Sequence, residues 1–186
     1  GIECAKRAAK LGIEYGRQFQ AYFLFRENRH DEAKKILEAV TSLTPEEKLL
    51  LGKIYYKTGE FVKAKDVMLS MDPEILESSE EVIEQVGDIF LKLTEYRKAS
   101  DYYLKAMRQL FAADSLDPAI AVSAKVRNVD ADNEEMHEML AKIYAKKGMK
   151  TQLIEEYGRL AAIYEKHDKK AEAVKIRQTL DKLKMV

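Results

Sequence analysis

The sequence predicts an all-α fold of antiparallel helix hairpins, about ten or eleven helices in all. Three observations carry this. First, Ala, Glu, Lys and Leu dominate, with only three prolines, eight glycines and no tryptophan in 186 residues. That balance favours helix and disfavours loop-rich or all-β folds. Second, one pattern of residue types recurs around Ala33, Ala64 and Ala99, which stand 31 and 35 residues apart. Twelve positions before each is a small residue (Ala21, Gly52, Gly87), and nine before is a bulky apolar one (Leu24, Tyr55, Phe90). Three before comes an aromatic or His (His30, Phe61, Tyr96), and four after a bulky side chain (Leu37, Met68, Tyr103). A fixed period of this size marks stacked units, none of which buries its own apolar face alone. Third, helix start and stop signals fall where the period requires them.

Taken in order, residues 2–11 read as the second helix of a truncated hairpin, broken by Gly12. Residues 14–27 follow as an aromatic-rich helix, with Tyr15, Phe19, Tyr22, Phe23 and Phe25. Asn28-Arg29-His30 is the turn, and Asp31 opens the next helix with an acid that suits its positive end. Thr44-Pro45-Glu46-Glu47 supplies an N-cap, a proline at the first helical position and two acids. The stretch 45–71 is the most regular hairpin, broken at Thr58-Gly59. Pro73 favours a turn in the connection 72–79, and Ser79-Glu80-Glu81 starts a helix running to about Leu93. Residues 96–113 read as one long helix shared between two hairpins, followed by a helix from Asp117-Pro118 onward. Residues 134–147 and 151–166 pair next, the latter again shared, and 169–184 form a polar terminal cap. The best repeats are 14–44, 45–79 and 80–113; 114–186 is irregular. All belong to a single domain over 1–186, read as part of a longer protein.

The small–bulky–Gly–aromatic–Ala pattern resembles the tetratricopeptide-repeat (TPR) family, most fully in 45–71 and more weakly in 14–45 and 80–111. The tryptophan-like slot near each repeat start departs from the family pattern, holding Arg17, Lys48 and Ile83. The resemblance implies a right-handed superhelix whose first helices line a concave groove. It also implies a non-catalytic scaffold that binds a peptide or helix of a partner protein, with no cofactor, metal or small-molecule substrate. The groove positions it points to are Gln18, Tyr22, Phe25 and Arg26 in the first unit. In the second they are Leu49, Lys53, Tyr56 and Lys57, and in the third Glu84, Asp88, Leu91 and Lys92. The expected groove thus has an aromatic–cationic half and an acidic half, suited to a segment with apolar and acidic residues. The family's lysine–asparagine clamp for a peptide carboxylate is absent: the corresponding slots hold Gln18, Tyr22, Leu49, Lys53, Glu84 and Asp88.

Catalytic signals are thin. His137-Glu138 begins an HExxH-like string, but residue 141 is Ala, so the second zinc ligand is missing; the pair reads as polar surface. His30 reads as a packed side chain and His167 as a solvated turn residue. Cys4, the one cysteine, excludes an internal disulfide and reads as structural. The acids from Asp72 to Asp88 lack calcium-loop spacing. There is no phosphate loop or nucleophile elbow, and the expectation is that the chain is not an enzyme. Lys and Arg equal Asp and Glu at 32 each, so a globally basic nucleic-acid binder is not indicated. From Lys142 to Val186, however, twelve Lys and Arg face six Asp and Glu. That leaves an alternative: nucleic-acid or membrane-surface association through a basic C-terminal face. No apolar run approaches a membrane span of roughly 18 residues. No signal peptide is visible, and a cytoplasmic location is expected.

Overall fold

A computed structural model describes residues 2–4, 6 and 14–185. Most of the expected 2–11 helix lies outside the described residues; Cys4, within them, is exposed. From residue 14 onward eleven helices and no strand follow among the described residues. The helices are α1 (Glu14–Arg26), α2 (His30–Glu38), α3 (Pro45–Lys57), α4 (Phe61–Leu69), α5 (Pro73–Leu76) and α6 (Glu80–Lys92). Then come α7 (Tyr96–Ala112), α8 (Leu116–Val129), α9 (Glu134–Lys146), α10 (Lys150–Lys166) and α11 (Lys170–Met185). The fold is the all-α stack of hairpins that the period predicts. The short α5 lies inside the 72–79 connection, where only a turn was expected; Asp72 caps it through Glu74 N at 2.9 Å.

The contacts divide the chain into two compact units, residues 1–94 and 95–186. In unit 1, α1 packs on α2 and α3 on α4, and the hairpins join through α2 against α3 and α4 against α6. In unit 2, α7 packs on α8, α8 on α9, α9 on α10 and α10 on α11. The long α10 is therefore shared by two neighbours, as its double pattern requires.

The recurring positions form the core. Ala33, Ala64 and Ala99 are fully buried, as are Leu37, Met68 and Tyr103 four residues later. The bulky positions Leu24, Tyr55 and Phe90 are buried too, with Ala21, Gly52 and Gly87 twelve before the alanines. The aromatic-or-His position is the one that varies. His30 and Phe61 are half-buried, whereas Tyr96 is 53% exposed.

The turns share one backbone device. Among the described residues, six adopt positive φ: Asn28, Gly59, Thr94, Asp114, Gly148 and Asp168. In the α3–α4 turn, Gly59 N donates to Tyr56 O (3.3 Å) and Glu60 N to Tyr55 O (2.8 Å). This pair of bonds satisfies carbonyls that the helix end leaves orphaned. Arg29 N to Leu24 O, Ser115 N to Leu110 O, Met149 N to Tyr144 O and Lys169 N to Tyr164 O repeat the five-residue bond of Glu60 to Tyr55. The acceptor is always a bulky residue of the preceding helix, so the turn closes directly over the packing position. Asn and Asp tolerate the left-handed region through their short polar side chains; Thr94, β-branched, does not.

Candidate functional site

Unit 1 carries a cleft of about 830 Å³. The α1 wall presents Gln18, Phe19, Tyr22, Phe25 and Arg26, and the α3 wall Glu46, Leu49, Leu50 and Lys53; α6 contributes Glu81. On α1, residues 19, 22 and 26 share one face by helical spacing. Phe19 is 53% exposed and Tyr22 43%. Phe23 holds them from behind, stacked on Phe19 with ring centres 6.4 Å apart and edge-on to Tyr22 at 6.1 Å. The Arg26 guanidinium lies 6.0 Å from the Tyr22 ring centre and donates to its hydroxyl at 3.3 Å. Lys53 Nζ donates to Glu81 Oε1 at 3.1 Å.

Six of the groove residues expected from the sequence meet here: Gln18, Tyr22, Phe25, Arg26, Leu49 and Lys53. Tyr56, Lys57, Glu84 and Asp88 stand outside the lining. Tyr56 is half-buried and packs edge-on against Phe61 at 5.6 Å, and Lys57 is exposed in the last turn of α3. Glu84 and Asp88 are half-buried on α6. Phe19, Glu46, Leu50 and Glu81 line the cleft without having been singled out. Phe19 was legible, since it stands three residues before Tyr22 on the same face; Glu81 was not, because nothing local ties it to Lys53.

One departure from the family pattern, Arg17, has a physical explanation. Arg17, in a slot where an apolar ring is usual, reaches Glu47, which is only 1% exposed. Arg17 Nε donates to Glu47 Oε1 at 2.8 Å. The other carboxylate oxygen accepts Thr44 N at 3.0 Å, while Thr44 Oγ1 accepts Glu47 N at 3.3 Å, closing a capping box. One buried carboxylate thus caps α3 and ties α1 to it.

In unit 2, His137 is buried, not the surface residue that its motif context suggested, because α9 turns this face toward α10. Its Nδ1 contacts Glu156, also buried, and its Nε2 lies 2.9 Å from the Ala131 carbonyl oxygen. That carbonyl can only accept, so Nε2 is the donor to it. Arg159 donates to the second Glu156 oxygen at 3.1 Å. Of the other histidines, His30 packs against Phe25 at 5.2 Å. His167, expected to be solvated, contacts Glu134 at 2.7 Å. No group of three or more His, Cys, Asp or Glu among the described residues could hold a metal ion.

Charge pairs recur at about one repeat's separation. Lys34 reaches Glu60 (2.7 Å), Arg108 grips Glu135 with two bonds (2.5 and 2.7 Å), and Lys146 reaches Asp114 (2.6 Å). Lys147 pairs with Asp117, Lys166 with Asp132 and Lys169 with Glu134. Four of the basic residues after Lys142 are therefore paired with acids of preceding helices and turns. Glu60 is held at about 2 by hydrogen bonds from Lys34, Lys63 and Thr58. Burial, together with the Tyr55–Glu38 hydrogen bond, pushes the Tyr55 hydroxyl up to about 12. Burial and the bond to Glu138 raise Tyr164 in the same way.

Comparison with known proteins agrees with this architecture. Residues 17–47 match the tetratricopeptide-repeat family. A TPR repeat-containing protein of Methanocaldococcus jannaschii is 31% identical over 91 residues, 47% of this chain and 16% of that protein. The chain thus spans about a sixth of that relative's length. Among solved structures, BtubC from P. vanneervenii superposes with a TM-score of 0.54 at 17% identity, covering 99% of this chain and 87% of that one. A Podosopora anserina protein with nearly identical TPR-like repeats gives 0.52 at 11% identity, covering 96% and 95%. These two structures share the fold. The buried repeat positions fit the pattern of the tetratricopeptide repeat that residues 17–47 match and that the repeat-containing relative carries.

Proposed function

We propose that unit 1 is a non-catalytic docking module that takes a peptide or helix of a partner protein into the α1–α3 cleft. One observation carries this: two large apolar rings, Phe19 and Tyr22, stay exposed on the wall of an 830 Å³ cleft. Exposed apolar surface of this kind marks interaction sites, and tetratricopeptide repeats generally serve protein–protein contact. Arg26 and Lys53 flank the rings, so the favoured segment carries apolar anchors beside an acid. That acid competes with Glu81 for Lys53. Aromatic anchors beside an Arg are the residue types that dominate binding energy at interfaces.

The test is photo-cross-linking of display-selected peptides to the chain with a photoreactive residue placed at position 19 or 49. Labelling at both positions supports the cleft. Selected binders that label neither place the contact elsewhere. The alternative, a basic C-terminal face for nucleic acid or headgroups, loses support from the ion pairs that occupy Lys146, Lys147, Lys166 and Lys169. Such binding would weaken steeply with salt. No helix among the described residues is long and apolar enough to cross a membrane.

A further inference from the structure

Unit 2 contains a polar recess of about 450 Å³, where the start of α7 meets the end of α8 and the N-cap of α9. Tyr96, Arg97, Ser100 and Asp101 come from α7, and Asp130 and Asn133 close the other side. Three of these side chains, Ser100, Arg97 and Asp101, carry no hydrogen bond or contact ion pair among the described residues, though Arg108 attracts Asp101 at longer range. Ser100 is 4% exposed, and its Oγ is buried without a hydrogen-bond partner. A buried hydroxyl is normally paired, and each exception calls for a cause. Here the unpaired group lies on the wall of a recess in the size range of small-ligand sites.

Arg97 and Asp101 are one helical turn apart, a spacing at which opposite charges pair. Yet no contact ion pair joins them among the described residues, and Asp101 feels only the more distant Arg108. Asp130 is held by Asn133, whose Nδ2 donates to its Oδ2 at 2.8 Å, leaving Oδ1 uncommitted. Asn133 is spent, since its Oδ1 caps α9 at Met136 N (2.9 Å). The recess therefore offers one cation, two carboxylates and one buried hydroxyl. A purely cationic ligand would face Arg97, and a purely anionic one would face Asp101 and Asp130. Only a dipolar ligand meets both signs with attraction.

We propose that this recess binds a small zwitterion of the α-amino-acid type. Its carboxylate pairs with Arg97 and its ammonium with Asp101 and Asp130. Ser100 Oγ, which both donates and accepts, bonds the ligand at the floor. The Tyr96 ring, largely exposed at the mouth, offers an apolar face to the ligand's side chain. This site is independent of the unit 1 cleft.

The experiment is calorimetric or ligand-detected NMR titration of the full chain with free glycine, leucine, glutamate, lysine and arginine. Acetate, methylammonium, and the N-acetyl and carboxamide derivatives serve as single-charge probes. At least one free amino acid is expected to bind, and blocking either of its charges should weaken it about tenfold, the loss of one charge-assisted bond. Arg97→Gln should abolish the dependence on the carboxylate and Asp101→Asn should reduce that on the ammonium. Ser100→Ala should weaken binding at unchanged far-UV helicity. The proposal is overturned if no free amino acid binds, if single-charge probes bind as tightly, or if affinity survives both charge substitutions.

Discussion

Replacing Gly52 with Ala tests how closely α3 and α4 approach. A Cβ at residue 52 would stand 2.8 Å from Met68 Cγ, 2.9 Å from Cε and 3.3 Å from Sδ. Met68 is fully buried. Its terminal methyl can swing aside, but Cγ lies near the root of the side chain and moves only with χ1 or the backbone. Two terms oppose each other. Alanine in a helix interior gains about 1 kcal/mol over glycine. Overpacking a filled core costs roughly 1–3 kcal/mol. The overlap wins, giving a net loss of about 1 kcal/mol, and leucine at the same position loses more. The assay is urea unfolding followed by far-UV circular dichroism. A double-mutant cycle with Met68→Ala isolates the contact: in that background Gly52→Ala should turn stabilising by about 1 kcal/mol. A stabilising Gly52→Ala on the native background, with no coupling to Met68, would refute the argument.

Other expectations follow from the same contacts. His137→Ala removes a buried hydrogen-bond partner of Glu156, which keeps Arg159, and should destabilise by about 1–3 kcal/mol in the same unfolding assay. Thr94→Gly should stabilise by about 1 kcal/mol, because a β-branched residue at φ 60° is strained where glycine is not. Glu60, lowered from 4.5 to about 2, contributes stability that is present above its unfolded-state value and lost as pH falls toward 2. An acid titration of unfolding free energy should therefore show a smaller drop between about pH 4.5 and 2 in Glu60→Gln than in the native chain.

The sequence revealed what depends on local spacing. Small and bulky residues at fixed offsets placed the hairpins within a residue or two, because each offset corresponds to a buried contact. Thr44-Pro45-Glu46-Glu47 announced both a helix start and its cap. Six of the ten cleft residues, Gln18, Tyr22, Phe25, Arg26, Leu49 and Lys53, were reached through the groove positions that the family resemblance implies. What stayed hidden depends on partners about one repeat away. Arg17 looked like a defect in the pattern until Glu47 was found beneath it. Lys146 and Lys147 counted as a basic patch until Asp114 and Asp117 were found opposite them. His137 looked like a surface residue, because nothing within its own helix indicates that α10 covers it with Glu156. A charge one period from an opposite charge, read as a pair, would have exposed several of these contacts.

The docking proposal makes the exposed rings of α1 the anchors of a partner segment. Its most direct measurement is the affinity of display-selected peptides for the native chain and for Tyr22→Ala, with Val174→Ser on α11 as a control, also exposed but far along the sequence. Loss of a buried aromatic anchor is worth about 2 kcal/mol or more. Tyr22→Ala should therefore weaken binding by more than about tenfold, with helicity intact and Val174→Ser neutral. Unchanged affinity in Tyr22→Ala, or a loss confined to Val174→Ser, would contradict the claim.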